Sequence, residues 1–156
     1  MKKLPRYLYR GLRHEEIDAG CVLIPKAQRP FLAQARLPIN LPFVLGERVE
    51  HAVREHQQVK KDKATGEEKP LHKTSGVSTT PHFQRAVQNY GRDGVIVKID
   101  TSFFETHGIS AHAVADFVDE PFICAPEDEE IILVCKKGYK FPNEIIVDKL
   151  WTRPPS

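Results

Sequence analysis

The chain has 156 residues, of which 40% are hydrophobic and 28% are charged, a composition typical of one globular domain that buries its own core. Its formal net charge of +2 is too small to indicate a nucleic-acid binder from charge alone. Three cysteines without a C-x-x-C pair argue against a disulfide framework, and the histidines show no metal-site spacing. We therefore expect a single domain over residues 1–156, in a reducing compartment and without a bound metal.

No secretory signal or membrane-spanning segment is expected at the beginning of the chain or later. Lys2 and Lys3 are followed by Pro5 and Arg6, which interrupt the apolar run that a signal peptide needs. No apolar stretch approaches the length of a transmembrane helix. A cytoplasmic location is the simplest expectation.

Charge is distributed unevenly along the sequence. Residues 1–13 contain five basic side chains and no acidic one, whereas the segment 101–135 contains eight acidic side chains and no Lys or Arg. The folded surface should therefore be positive near the N-terminal segment and negative near residues 101–135.

The first half of the chain predicts few regular elements. Tyr7-Leu8-Tyr9 indicates a short strand that ends at Arg10-Gly11. Three prolines predict an irregular course over 26–46, and an apolar stripe predicts a helix over 46–59. Residues 60–70 are highly charged without an apolar period, which predicts a mobile loop.

The second half predicts strands over 94–100, 130–135 and 141–147, the last two joined by a turn at 136–138, and a helix over 110–118. Before them, Ser78-Thr79-Thr80 has two interpretations. It could cap a helix that begins at Pro81, or it could end a strand that faces a pocket.

Three polar motifs stand at predicted strand edges: Tyr9-Arg10-Gly11, Ser78-Thr79-Thr80, and the acidic run 127–130 before Ile131. Each alone has an ordinary explanation as a solvated arginine, a helix cap or a soluble turn. Together and in this order they resemble the arginine–serine–glutamate group of mono-ADP-ribosyltransferases, the cholera-toxin-like branch. The similarity covers most of the chain, and the flanking residues that share it are Glu16-Ile17, Gly20, Leu23-Ile24-Pro25, His72 and Gly138-Tyr139-Lys140-Phe141.

The resemblance implies an α+β catalytic domain of two packed, mainly antiparallel sheets with flanking helices, which uses NAD as co-substrate. Glu130 matches the catalytic glutamate, whose carboxylate stabilises the oxocarbenium-like charge that develops on the ribose. Arg10 matches the arginine that binds the dinucleotide phosphates. Ser78 would orient Glu130 through its hydroxyl, and Gly11 would offer its backbone N–H and C=O to the nicotinamide amide. The other NAD-site residues that the resemblance implies are Thr79 and His72.

Two positions depart from the family pattern. Thr80 stands where the triplet often ends in serine, and Asp128 stands where the family has Glu or Gln, two residues before the catalytic glutamate. Shifting the register by one residue would pair Glu127 with Glu129 and leave Glu130 outside the site. Glu130 is preferred because the apolar strand begins directly after it.

The acceptor is expected to be a protein. In the family, the turn before the catalytic glutamate contacts the molecule that is modified, and here that turn covers about 119–129, with Phe122 and several acids. A negative rim repels a phosphate backbone and attracts a basic protein surface. The expected target is an arginine side chain, with Asp128 orienting its guanidinium and Phe122 packing against the partner.

The resemblance therefore predicts transfer of ADP-ribose from NAD to a macromolecule with release of nicotinamide, by a bacterial toxin or effector that acts in the cytoplasm of a target cell. Three alternatives stay open: an NAD glycohydrolase, a transferase that modifies nucleic acid, and a non-catalytic NAD-binding module. The last is disfavoured because arginine, serine and glutamate are all present.

Overall fold

The computed structural model describes residues 3–26, 59–61, 68–70, 76–90, 94–118, 121, 123, 125–135 and 141–151. The strands of this part of the chain are β1 Tyr7–Gly11, β2 Val59–Lys61, β3 Glu68–Pro70, β4 Val77–Thr79, β5 Val95–Asp100, β6 Ile109–Ala113, β7 Ile131–Cys135 and β8 Ile146–Trp151. Its helices are α1 His14–Asp18, α2 Phe83–Tyr90 and α3 Phe104–His107. Its 3₁₀ segments are Thr101–Phe103, Val114–Asp116, Pro126–Asp128 and Asn143–Ile145.

Two antiparallel sheets form the centre of the fold, with strand orders β1-β5-β8 and β4-β7-β6. The central strands β5 and β7 are mostly buried: all five residues of β7 and all but Lys98 of β5 are buried, as expected for strands covered on both faces. With only short helices beside the sheets, the described residues have the mixed, mainly antiparallel architecture that was predicted. The predicted strands at β1, β5 and β7 are confirmed.

The main hydrophobic core contains residues from both sheets. Leu8 and Ile99 of one sheet and Leu133 of the other belong to one cluster, and each is fully buried. Ile132 points to the opposite face of β7, where it packs with Val114 in a second, smaller cluster. Burial on both faces leaves β7 little freedom to move, so the acidic residues directly before it are held against a rigid strand.

The predicted helix over 110–118 is wrong, because β6 and the 3₁₀ segment Val114–Asp116 occupy that range. Ile109, Ala111 and Ala113 alternate toward the main core, and β6 pairs with β7 along its whole length. Pairing with a neighbouring buried strand therefore overrides the helix propensity of the two alanines.

The predicted strand over 141–147 is also displaced. Phe141 and Ile145 are buried in the main core around a 3₁₀ segment, and the strand begins only at Ile146. It lies at the edge of the other sheet, where it pairs with the central strand β5 rather than with β7. Pro142 lacks the N–H that a ladder needs, which explains why pairing starts after it.

The segment 60–70 has regular structure at its two ends, where β2 and β3 pair as an antiparallel hairpin with Val59 opposite Pro70. The prediction of a mobile loop over 60–70 did not include these strands, because short charged strands show no hydrophobic period in the sequence; the mobility of the segment stays a prediction. The expected helix over 46–59, most of the irregular stretch over 26–46 and the turn at 136–138 lie outside the described residues. Within them, no helix has the length and apolar character needed to cross a membrane.

Candidate functional site

Arg10, on β1, is the centre of a buried polar cluster. Only 9% of the residue is exposed, and its guanidinium donates three hydrogen bonds to nearby groups. Nε and Nη2 donate to the two carboxylate oxygens of Glu16 at 3.2 and 2.8 Å, and Nη1 donates to the backbone carbonyl of Ser78 at 2.9 Å. The side chain thus connects β1 to α1 on one side and to β4 on the other.

Glu16 is fully buried and holds Arg10 in place. Besides the two guanidinium contacts, its oxygens accept hydrogen bonds from the backbone N–H groups of Arg13 and Ile24, both at 2.9 Å. Each carboxylate oxygen therefore receives two donors, which is the full pairing that a buried charge requires. This role was missed in the sequence, where Glu16 appears only as a matching neighbour. The available signal was its position three residues after Arg13 at the start of α1, where a glutamate folds back onto the cap backbone.

The two sheets meet at an isolated bridge and then separate. Tyr9 and Thr80 exchange two backbone hydrogen bonds, of 2.7 and 2.9 Å, and continuing this register would place Gly11 opposite Ser78. Among the described residues the pairing stops at the bridge. Peptide groups alternate in direction along a strand, so the N–H and C=O of Gly11 point to the side of β1 on which Ser78 lies. This break in the pairing between Gly11 and Ser78 is called the opening below. Gly11 itself is buried, and its contact with the nicotinamide amide stays a prediction.

Ser78 and Glu130 come from motifs 52 residues apart and meet on the same side of the opening. The Ser78 hydroxyl donates to Oε2 of Glu130 at 2.8 Å, so the hydrogen bond predicted between these side chains is present. Because Arg10 donates to the carbonyl of Ser78, the arginine, serine and glutamate motifs are linked through one residue.

The other hydroxyl residues of the triplet have structural partners. Thr79 is buried and donates to the carbonyl of Ile131 across the sheet, so its hydroxyl is engaged in the protein rather than turned toward a cofactor site. The Thr80 hydroxyl donates to the carbonyl of Asp128 and accepts from the backbone N–H of His82, just before α2. Ser78 thus lies beside the opening, as the strand interpretation predicts. The Thr80 hydroxyl stabilises the turn at His82, and the helix begins at Phe83 rather than at Pro81.

The four consecutive acids contact three different residues. Glu127 and Asp128 contact Arg85 of α2, Glu129 contacts His82 at 3.4 Å, and Glu130 contacts Ser78. Glu129 has a φ of 48°, in the left-handed region that non-glycine residues rarely adopt. This turn at Glu129 separates the first three carboxylates, directed at α2, from Glu130. Of the two possible registers, the geometry places Glu130, not Glu129, beside the serine.

Asp128 is 2% exposed, and its Oδ1 accepts a 2.7 Å hydrogen bond from Nε of Arg85. The structure therefore places its carboxylate against an internal guanidinium rather than at the surface, where an acceptor would reach it. His72 and Phe122, the remaining predicted site residues, lie outside the described residues.

Positive charge accumulates beside Arg10. Arg13 contacts the same carboxylate, with its Nε 3.5 Å from Oε1 of Glu16. Lys26 is a third cation in this region. Its pKa is lowered by desolvation of its ammonium and by the positive charges of Arg13 and Arg10, although much of its side chain is exposed. Glu15 and Glu16 offset part of this charge, since Glu16 pairs with Arg10 and Glu15 lies 3.8 Å from Arg13. Three cations against two carboxylates leave a net positive charge, which favours a ligand with negative charge.

In the described part of the chain, no group of three or more His, Cys, Asp or Glu side chains is arranged to hold a metal ion. No protein-family model, no curated protein and no solved structure matches this chain. The geometry and chemistry of the site are therefore the basis for a functional assignment.

Proposed function

We propose that this chain is a mono-ADP-ribosyltransferase that cleaves the bond between nicotinamide and ribose in NAD and transfers ADP-ribose to a macromolecular acceptor. In this reaction the bond between C1′ and the pyridine nitrogen breaks, and its electron pair leaves with nicotinamide. The acceptor nucleophile forms the new bond at C1′ and loses a proton. NAD is the co-substrate, and the reaction needs no redox step.

The observation that carries this proposal is the hydrogen bond between Ser78 and Glu130 beside the buried Arg10. A carboxylate next to the ribose stabilises the positive charge that develops at C1′ in the transition state. Ser78 holds Oε2 of that carboxylate in one orientation, which removes the need to reorganise it during the reaction. The turn at Glu129 brings Glu130 to this position, and backbone strain of that kind is concentrated at functional sites.

The diphosphate of NAD would lie against the positive wall formed by Arg10, Arg13 and Lys26. Glu16 and Ser78 take three of the five N–H groups of Arg10, so this side chain orients the site as well as contributing charge. Arg13 and Lys26 supply further positive charge next to it. The nicotinamide amide would pair with the backbone of Gly11, where the absence of a side chain permits close approach.

We propose a protein as the acceptor. Of the acidic side chains in the turn before β7, those of Glu127 and Glu129 are 58% and 69% exposed. The rim of the site thus stays negative, which disfavours a phosphate backbone and favours a basic protein surface.

The test is incubation of the protein with NAD labelled in the adenylate moiety, with and without a cell lysate, while released nicotinamide is measured in parallel. The products are then divided and digested separately with protease and with nuclease. Glu130→Gln is the inactive control, and Glu105→Gln, the same substitution at an exposed position of α3, is the matched active control.

Transfer to protein gives macromolecular label that protease removes and nuclease does not. Label that nuclease removes would indicate a nucleic-acid acceptor, and nicotinamide release without label would indicate an NAD glycohydrolase. Absence of both, together with measurable NAD binding, would leave a binding module and refute the transferase proposal.

A further inference from the structure

The side chain of Arg85, on α2, bridges two carboxylates of the acidic turn. Its Nε donates to Oδ1 of Asp128 at 2.7 Å, and its Nη2 donates to Oε1 of Glu127 at 3.2 Å. The Asp128 side chain is 3% exposed and that of Arg85 is 27% exposed, so the guanidinium covers the carboxylate from the solvent side. The contact is short, charge-assisted and largely removed from water, which are the conditions under which an ion pair has a strong preference for its partner.

The backbone of Asp128 is also fixed, by residues on either side of the turn. Its carbonyl accepts the hydrogen bond from the Thr80 hydroxyl, and its N–H donates to the carbonyl of Ala125 at 3.0 Å. A residue held through its side chain and through both of its backbone groups is part of the framework of the turn. A guanidinium from an acceptor protein would have to displace Arg85 before it could reach the Asp128 carboxylate.

We infer that Arg85 is an internal guanidinium that occupies Asp128, so that Asp128 positions the catalytic turn and does not bind an acceptor arginine. On this basis the nucleophile that this chain modifies is not a guanidinium, and Arg85 is the residue that sets this specificity. The inference rests on the proposed function and replaces the arginine acceptor expected from the sequence.

The first experiment measures acceptor use with agmatine, a small soluble guanidinium compound. Wild type, Arg85→Ala and Arg85→Ala/Asp128→Asn are each incubated with NAD and agmatine, and both nicotinamide and ADP-ribosyl-agmatine are quantified. We expect the wild type to release nicotinamide and to form no ADP-ribosyl-agmatine above the level of Glu130→Gln. Arg85→Ala should gain this product, because it exposes the Asp128 carboxylate, and the double variant should lose it again. A purely structural role for Arg85 would give no such gain.

The second experiment tests the pairing without any need for NAD. Arg85→Ala should lower Tm by roughly 5–10 °C, because a largely buried carboxylate loses its partner. Agmatine should restore part of that loss by entering the vacated space, since a ligand that binds only the folded state stabilises it. Putrescine, which carries an ammonium in place of the guanidinium, should restore less, and the double variant should respond to neither compound.

The outcomes separate the inference from the proposed function. ADP-ribosylation of agmatine by the wild type would overturn the inference while supporting the transferase. Failure of agmatine to restore Tm specifically in Arg85→Ala would overturn the pairing itself. Absence of nicotinamide release under all conditions would refute the proposed function, and the acceptor statement would fall with it, whereas the Tm measurements would still decide the pairing of Arg85 with Asp128.

Discussion

Glu16 should contribute more to stability than any other carboxylate near the site, and Glu16→Gln isolates that contribution because the two side chains have the same shape. Each carboxylate oxygen accepts one hydrogen bond from the Arg10 guanidinium and one from a backbone N–H. The amide nitrogen of glutamine is a donor, so whichever way the amide turns, two of the four donors lose their acceptor.

The magnitude follows from those two losses. Both lost hydrogen bonds are accepted by a charged carboxylate and contribute about 1.5–3 kcal/mol each, so the two together amount to roughly 3–6 kcal/mol. Breaking a buried ion pair from one side costs about 3–5 kcal/mol, because the partner charge stays buried without compensation. We therefore expect the free energy of unfolding to fall by about 3–4 kcal/mol, which leaves a domain of typical stability, about 5–15 kcal/mol, still folded.

Urea denaturation of the wild type and of Glu16→Gln measures this difference, provided that the m-value is unchanged. Glu15→Gln is the matched control, because Glu15 is the neighbouring residue, its side chain is 70% exposed, and its contact with Arg13 is 3.8 Å long. A surface pair of that kind contributes less than about 1 kcal/mol. If Glu16→Gln is no more destabilising than Glu15→Gln, Glu16 is not the anchor of Arg10 and the reasoning fails.

Three further predictions concern the site and the sheet that supports it. Glu130→Gln should lower the rate of nicotinamide release by about 10²–10³-fold while NAD binding persists, since the enzyme loses a preorganised charge that stabilises the transition state. An active Glu130→Gln variant together with an inactive Glu129→Gln variant would show that the register is shifted by one residue. Arg10→Lys should weaken NAD binding by about tenfold or more, the equivalent of roughly 1.4 kcal/mol. The reason is that an ammonium cannot contact Glu16 and the Ser78 carbonyl in one plane as the guanidinium does. Unchanged affinity in calorimetry would remove Arg10 from the site. Hydrogen bonds from Arg6 and Ser102 lower the pKa of Asp100 to about 2; the stability that this carboxylate contributes is therefore present above about pH 4 and is lost as the pH falls through about 2. The difference in Tm between wild type and Asp100→Asn should accordingly narrow between about pH 5 and about pH 2.5, and a constant difference would contradict the assignment.

The sequence alone determined the features that depend on local pattern. β7 is apolar throughout and β5 is rich in β-branched apolar residues, so both strands could be predicted from composition without knowledge of their partners. The three polar motifs could be recognised because their residue types and order are visible in the chain, and the contact of Ser78 with Glu130 was inferred from them before any geometry was known.

Only the tertiary structure decided which group pairs with which. The alanines of β6 favour a helix by propensity, and they form a strand because β7 offers a ladder along their whole length. Glu16 and Arg85 are ordinary charged residues in the sequence. Folding places Glu16 beneath Arg10 and Arg85 over Asp128, across 6 and 43 residues respectively. Ion pairs between distant residues leave no periodic signature in a sequence, because they depend on the distances and burial that arise only when the sheets pack together.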